Sequence, residues 1–276
     1  MCGRFVSARK RLELLEEFGI GHDRVAEGPD QEPDPDYNVA PTKRVYAVMD
    51  RQPRDKEASA RELRVVRWGL VPVWAKDASG GGRLINARAE TVAVKPAFRR
   101  AFAKRRCILP ADGYYEWQAL SEQGKPRKQP YYIYRKDGGV LAFAGVYELW
   151  RDKALPDDHE RAWLWTAAII TTQATDEVGQ IHDRMPMVIA RDHWTDWLDP
   201  DNSEPGQLQA TMRPAMAGGL TSHPVSTAVN FVRNNGPELI APLPSAALPS
   251  AALPSPGGDG PGAASADKER PPGELF

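Results

Sequence analysis

The sequence predicts an α+β fold: one β-rich domain with a curved, barrel-like sheet and short helices, followed by a disordered C-terminal tail. Three observations carry this prediction. Strand-like apolar runs outnumber helical ones over the first 240 residues, and the helical stretches are short and scattered. Neither a regular βαβ alternation nor a glycine fingerprint for a nucleotide is present. From residue 241 the chain changes to LPSAALPSAALPS and then to Gly, Pro, Ala and Ser.

Taken in order, Ser7 is placed to cap a helix over residues 8–18. Leu12, Leu14, Leu15 and Phe18 form its apolar stripe and Gly19 its stop. Residues 24–36 are dominated by Asp, Pro and Glu, most densely over 27–36, and predict a flexible acidic loop. Strands are expected at 45–49, 63–68, 107–109, 131–134, 140–146, 163–171, 187–189 and 221–225. A helix is expected over 96–104, with proline in its first turn and Phe98 and Phe102 four apart, and another over 194–198 behind Asp192. The repeat segment cannot bury enough apolar surface to offset its ordering entropy, so the domain is expected over 1–240 and a linker-like tail over 241–276.

Composition narrows the function classes. Hydrophobic residues make up 41% and charged residues 26% of the 276, as in a soluble globular protein. Two cysteines, Cys2 and Cys107, are too few for a disulfide scaffold or a four-cysteine zinc site. Cys107 stands in the apolar run Cys107-Ile108-Leu109 and reads as a buried thiol. No ligand cluster calls for a metal, and no cofactor is expected. The first residues, MCGRFVSARK, lack the apolar core of a signal peptide, and no stretch is long and apolar enough to span a bilayer. A reducing cytoplasm is the expected location. The net charge of −1 conceals an asymmetry: residues 61–110 hold twelve Lys/Arg against three Asp/Glu. Such a region is either a polyanion-binding face or a solvated surface.

Cys2 is the most informative residue. If Met1 is removed, residue 2 carries a free α-amine and a thiol on adjacent carbons. The amine titrates near about pH 8 and the thiol near about 8.5, so both have nucleophilic populations at neutral pH. Together they can trap an aldehyde: the amine condenses to an imine and the thiol closes on the same carbon, giving a thiazolidine.

Five further segments set polar residues beside apolar or turn residues: Asn38-Val39-Ala40-Pro41-Thr42, Trp68-Gly69-Leu70-Val71-Pro72, Asn86-Ala87-Arg88-Ala89-Glu90, Gly113-Tyr114-Tyr115-Glu116-Trp117 and Ile181-His182-Asp183-Arg184-Met185-Pro186. With MCGRF at the start, these motifs, in order over residues 1–240, resemble the SRAP family of SOS response-associated peptidases, also called abasic-site processing proteins. The resemblance implies a β-rich α+β domain with a basic DNA channel. It also implies a covalent thiazolidine link between Cys2, freed by loss of Met1, and an abasic site in single-stranded DNA. The expected setting is the DNA damage response, in the cytoplasm and at the nucleoid when damaged DNA is bound, with a monomer expected as the acting species.

The same resemblance assigns Glu116 and His182 as proton-handling groups and Asn86 as the amide beside the cysteine. A carboxyl set between Tyr115 and Trp117 suits the opening of the sugar hemiacetal, because burial raises its pKa toward neutrality. An imidazole shuttles protons near pH 7. Arg88 and Arg184 match phosphate-holding positions, Arg4 lies two residues from the nucleophile, and Asn38, Pro41 and Trp68 match residues along the DNA path. Trp68 can stack on a base or be a core tryptophan; Thr172 is a weaker hydroxyl candidate. Two other functions remain open: a thiol peptidase using Cys2 with His182, and a non-covalent single-strand binder. Self-processing of Met1 and a lyase side reaction are compatible with the first reading.

Overall fold

Apolar residues on both faces of successive strands require cover on both sides of a sheet, and the fold supplies it. The computed structural model describes residues 2–27, 32–51, 60–122, 125–156, 158–159, 162–212 and 219–244. Among them run the strands β1 (Phe5–Ser7), β2 (His22–Asp23), β3 (Asp36–Val39), β4 (Arg44–Arg51), β5 (Ala60–Trp68), β6 (Asn86–Arg88), β7 (Arg106–Ala111), β8 (Gly113–Glu122), β9 (Lys125–Arg135), β10 (Leu141–Arg151), β11 (Trp163–Gln173), β12 (Arg184–Pro186) and β13 (Leu220–Pro224). One sheet has the order β13-β9-β8-β1-β3. In the other, β11, β10, β7, β4 and β5 are successive antiparallel neighbours, and β5 returns to β11 in parallel through Arg67↔Thr166 and Trp68↔Ala167. These five strands close into a barrel, which leaves their edges paired.

The period of two along β4 divides the core. Tyr46 and Val48 join the cluster that takes Leu14, Phe102 and Trp197 from the helices, while Val45, Ala47 and Met49 join the cluster that takes Phe5 and Tyr114 from the smaller sheet, with Cys2 just ahead of β1. The helices are short: α1 (Arg11–Glu17), α2 (Arg24–Glu27), α3 (Arg99–Lys104), α4 (Trp194–Leu198) and α5 (Pro205–Thr211).

Most predicted elements appear, the strands usually longer than expected and the 96–104 helix shorter, as α3 over Arg99–Lys104. The 8–18 helix is α1 and begins later: Ser7 closes β1, and the position before the helix is Lys10, whose side chain makes no cap. Gly19 stops it in the left-handed region, at φ 58°. The expected loop over 24–36 instead holds α2, with Val25 buried, and the start of β3; residues 28–31 lie outside the described residues. Glu32 of that stretch folds back onto Arg11 and the Tyr46 hydroxyl, at 3.1 and 2.9 Å. The strand expected at 187–189 is reduced to a single bridge between Val188 and Phe143, while β12 lies just before it. Of the tail expected over 241–276, residues 245–276 lie outside the described residues, and Leu243 donates its amide to Pro224. No helix among the described residues is long and apolar enough to cross a membrane.

The basic stretch of residues 61–110 is partly consumed inside the fold. Arg61 pairs with Asp50, Arg64 with Glu62 and Arg105 with Glu148. Arg106 is buried and donates to five backbone carbonyls. The charge excess is therefore not one continuous polyanion face.

Candidate active site

Four residues distant in sequence meet where the small sheet covers the barrel. Cys2 is buried directly ahead of β1, among Phe5, Trp68, Tyr114 and Phe143. The register Phe5↔Tyr114 lays β8 alongside, and alternation then puts Tyr114 and Glu116 on the face shared with Cys2, while Tyr115 points to the opposite cluster with Tyr132 and Val229. β6 runs parallel to β11, with Ile169↔Asn86, and from there Asn86 Nδ2 donates to the Cys2 carbonyl at 2.7 Å. Glu116 and His182 line one cleft of about 430 Å³ together with Trp117, Lys128 and Asn230.

The electrostatics follow from burial. Desolvation pushes the Cys2 thiol pKa far up, and the charge of Glu116 adds to it. Desolvation likewise raises the Glu116 carboxyl above its ordinary value, against the opposing pull of His182. The His182 Nδ1 lies 3.0 Å from the Arg184 amide and 2.8 Å from Asp183 Oδ1, so the proton on Nδ1 selects which of the two it bonds. Asn86 Oδ1 and the Tyr114 hydroxyl are buried here and have no hydrogen-bond partner among the described residues. Tyr114 is the residue sequence reasoning missed. Its signal was the i, i+2 spacing to Glu116 on a strand, which the unbroken polar–aromatic run GYYEWQ concealed. The chemistry this arrangement can perform is nucleophilic attack at a site where a carboxyl whose pKa burial raises, an imidazole and an amide lie close to the cysteine. Among the described residues, no group of three or more His, Cys, Asp or Glu side chains is arranged to hold a metal ion.

The predicted DNA-contacting residues divide. Arg88 is exposed at the end of β6. Pro41 is half-buried in the turn before β4, next to Thr42, whose φ of 75° is rare for a β-branched residue. Arg184 is held by Glu90, at 2.6 and 3.1 Å, and by the Thr171 carbonyl at 2.6 Å, so a phosphate must displace Glu90 to reach it. Asn38 is fully buried and donates Nδ2 to the carbonyls of Val229, Phe231 and Asn234; its Oδ1 accepts from Arg4 at 2.6 Å. Arg4 also donates to the Val229 carbonyl, and burial lowers its pKa. Arg4 and Asn38 thus anchor the loop over 226–236. Thr172 is half-buried, and it is the neighbouring Thr171 whose hydroxyl lies 3.4 Å from Arg184.

Trp68 corrects an expectation. It is completely buried, packs edge-on against Phe5 at 5.0 Å and donates to the Ile85 carbonyl, so it has no ring face for a base. The exposed tryptophan of this region is Trp74, 67% accessible, on the loop that leads from β5 to Asn86. With Pro72, Lys76 and Arg83 it lines a pocket of about 340 Å³. The loop folds tightly because Gly69, at φ 119°, meets Gly81 backbone to backbone; a Cβ on Gly69 would come within 2.6 Å of the Gly81 oxygen.

Fold and site together define a thiol-centred, β-rich domain, in which Cys2 shares its surroundings with a carboxyl, an amide and an imidazole. The chain belongs to the SOS response associated peptidase (SRAP) family, whose model matches residues 1–232. It is 40% identical over 240 residues to the abasic site processing protein YoaM of Bacillus subtilis, covering 87% of this chain and 97% of that one. It is 31% identical over 276 residues to the abasic site processing protein HMCES of Gallus gallus, covering 88% and 78%. A crystal structure of a Bacteroides thetaiotaomicron protein superposes with a TM-score of 0.72 at 27% identity, covering 88% of this chain and all of that one.

Proposed function

We propose that this protein processes abasic sites in single-stranded DNA by forming a thiazolidine through Cys2 once Met1 is gone. The observation that carries this reading is the convergence of Asn86 on the Cys2 backbone beside a cleft lined by Glu116 and His182. The names of the relatives supply the substrate class.

The chemistry runs in three steps. Protonated Glu116, available closer to neutral pH because its pKa is raised, donates to the ring oxygen of the abasic sugar while His182 takes the proton of the anomeric hydroxyl, so that the bond from C1 to the ring oxygen breaks and the aldehyde is released. The Cys2 amine adds to the carbonyl and water leaves, giving an imine; Asn86 Oδ1, buried and without a partner among the described residues, is an acceptor suited to orient that amine. The Cys2 sulfur then adds to the protonated imine carbon, and its proton passes to Glu116 or His182. An iminium carbon is electrophilic enough to need no standing thiolate, which suits a thiol whose ionisation burial suppresses. The same suppression disfavours a peptidase, which requires an activated thiolate. In this reading the exposed Arg88 takes phosphate and the exposed ring of Trp74 takes a base.

The test is a denaturing gel of purified protein mixed with single-stranded DNA bearing one abasic site, with intact mass used to score Met1 loss. A heat-stable shifted band is expected from protein lacking Met1 and none from Cys2→Ala. Des-Met1 protein that yields no such band, or that hydrolyses unrelated peptides instead, overturns the proposal.

A further inference from the structure

The loop over 226–236 contributes to the cleft and then turns an aromatic outward. Asn230 lines the cleft, and its Oδ1 accepts from Trp117 Nε1 at 2.7 Å. The next residues, Phe231 and Val232, are 58% and 46% accessible, against the near-complete burial of most large apolar side chains in the domain. The Arg233 guanidinium lies 5.6 Å from the Phe231 ring centroid.

This exposed ring is held in place. Asn38 grips the carbonyls of Val229, Phe231 and Asn234, Arg4 grips that of Val229, Asn234 Nδ2 bonds the Ala228 carbonyl, and the Ser226 hydroxyl accepts from the Ala228 amide. An aromatic fixed by this many bonds to its backbone loses little entropy on binding. Asn38 and Arg4, predicted as DNA contacts, thereby act through the loop.

We propose that Phe231, with Arg233 beside it, is the stacking platform for a nucleobase flanking the abasic nucleotide, an assignment that rests on the DNA-processing reading above. A strand entering the cleft reaches this loop immediately beyond Asn230. A single-stranded base offers a π face to Phe231, and Arg233 and Lys128 offer cations to its phosphates. Other apolar partners gain nothing from those cations.

The test is fluorescence anisotropy with single-stranded oligonucleotides that carry a central tetrahydrofuran abasic analogue, which binds but cannot crosslink. Three are compared: both neighbouring bases present, the 5′ base removed, and the 3′ base removed. For the wild type, removing one of the two bases is expected to weaken binding about tenfold. Phe231→Ala loses a similar factor on the intact oligonucleotide and nothing further when that base is absent, while Phe231→Trp keeps the base-dependent gain. Equal binding of Phe231→Ala and wild type to the intact oligonucleotide, or an equal loss on all three, overturns the assignment. Wild-type crosslinking to genuine abasic DNA is scored separately. Its absence with the base dependence intact refutes the chemistry and leaves the platform standing.

Discussion

Two buried polar centres of this domain are built on opposite principles. In the Arg106 socket every guanidinium nitrogen donates to a carbonyl: Nε to Trp197, one terminal nitrogen to Phe102 and Ala103, the other to Asp199 and Asn202. Burial pushes its pKa down only to about 10, so it stays charged and tied. Around Cys2, by contrast, the thiol, the Glu116 carboxyl and the Tyr114 hydroxyl are all held away from their charged forms by burial, and Asn86 Oδ1 and the Tyr114 hydroxyl lack hydrogen-bond partners among the described residues. A buried polar group without a partner costs stability, about 1–3 kcal/mol each. The socket therefore serves the fold, by fastening β7 to α3, α4 and the turn after α4, and the cysteine site gives up stability to keep acceptors and donors available.

That contrast can be broken in three places. The largest effect is expected at the socket: Arg106→Met strands several carbonyls and should lower unfolding stability by about 3–5 kcal/mol in a denaturant titration, without changing crosslinking per folded molecule. A stability near wild type would show that the socket does not fasten the fold.

Glu116→Gln comes next. It should slow crosslinking about a hundredfold and flatten its pH profile. Its stability change has the opposite sign to that of Arg106→Met. A carboxyl whose pKa is raised on folding binds its proton more tightly in the native state, so wild-type stability is greatest below the ordinary carboxyl range and falls as pH rises through the raised value. Glu116→Gln should therefore melt higher than wild type at neutral pH and lose that advantage in acid; a lower melting temperature at neutral pH would contradict the burial cost.

The smallest effect is expected for Tyr114→Phe, which removes an unpartnered hydroxyl and keeps the ring edge-on to Phe143. Thermal unfolding should show a gain of about 1 kcal/mol. A loss of stability would mean that the hydroxyl is satisfied in solution.

The strands of the barrel were legible because their apolar period survives in sequence: β4, β5 and β11 each contain the run from which they were predicted, and β10 contains all of its run but Val140. β8, the strand that carries Glu116, was visible only as a motif, since a buried carboxylate between aromatics breaks the alternation that marks a half-exposed strand. The site chemistry was legible by residue type and motif, and the roles of individual neighbours were less so. Asn38 and Arg184 carry the groups expected of DNA contacts, but three carbonyls hold the first and Glu90 the second. Trp68 and Trp74 lie six residues apart, and only one of them faces solvent.

By itself the sequence determined the periodicities, the short helices, the composition break at 241 and the presence next to Met1 of a residue able to offer amine and thiol together. These are local properties, set by neighbours within a few positions. The tertiary structure decided which polar groups are satisfied and which are left unpaired, which tryptophan is buried, and where Phe231 points. Those outcomes depend on partners tens to hundreds of residues away, as Asn38 and Asn234 show, and burial is settled only when such distant segments close on one another.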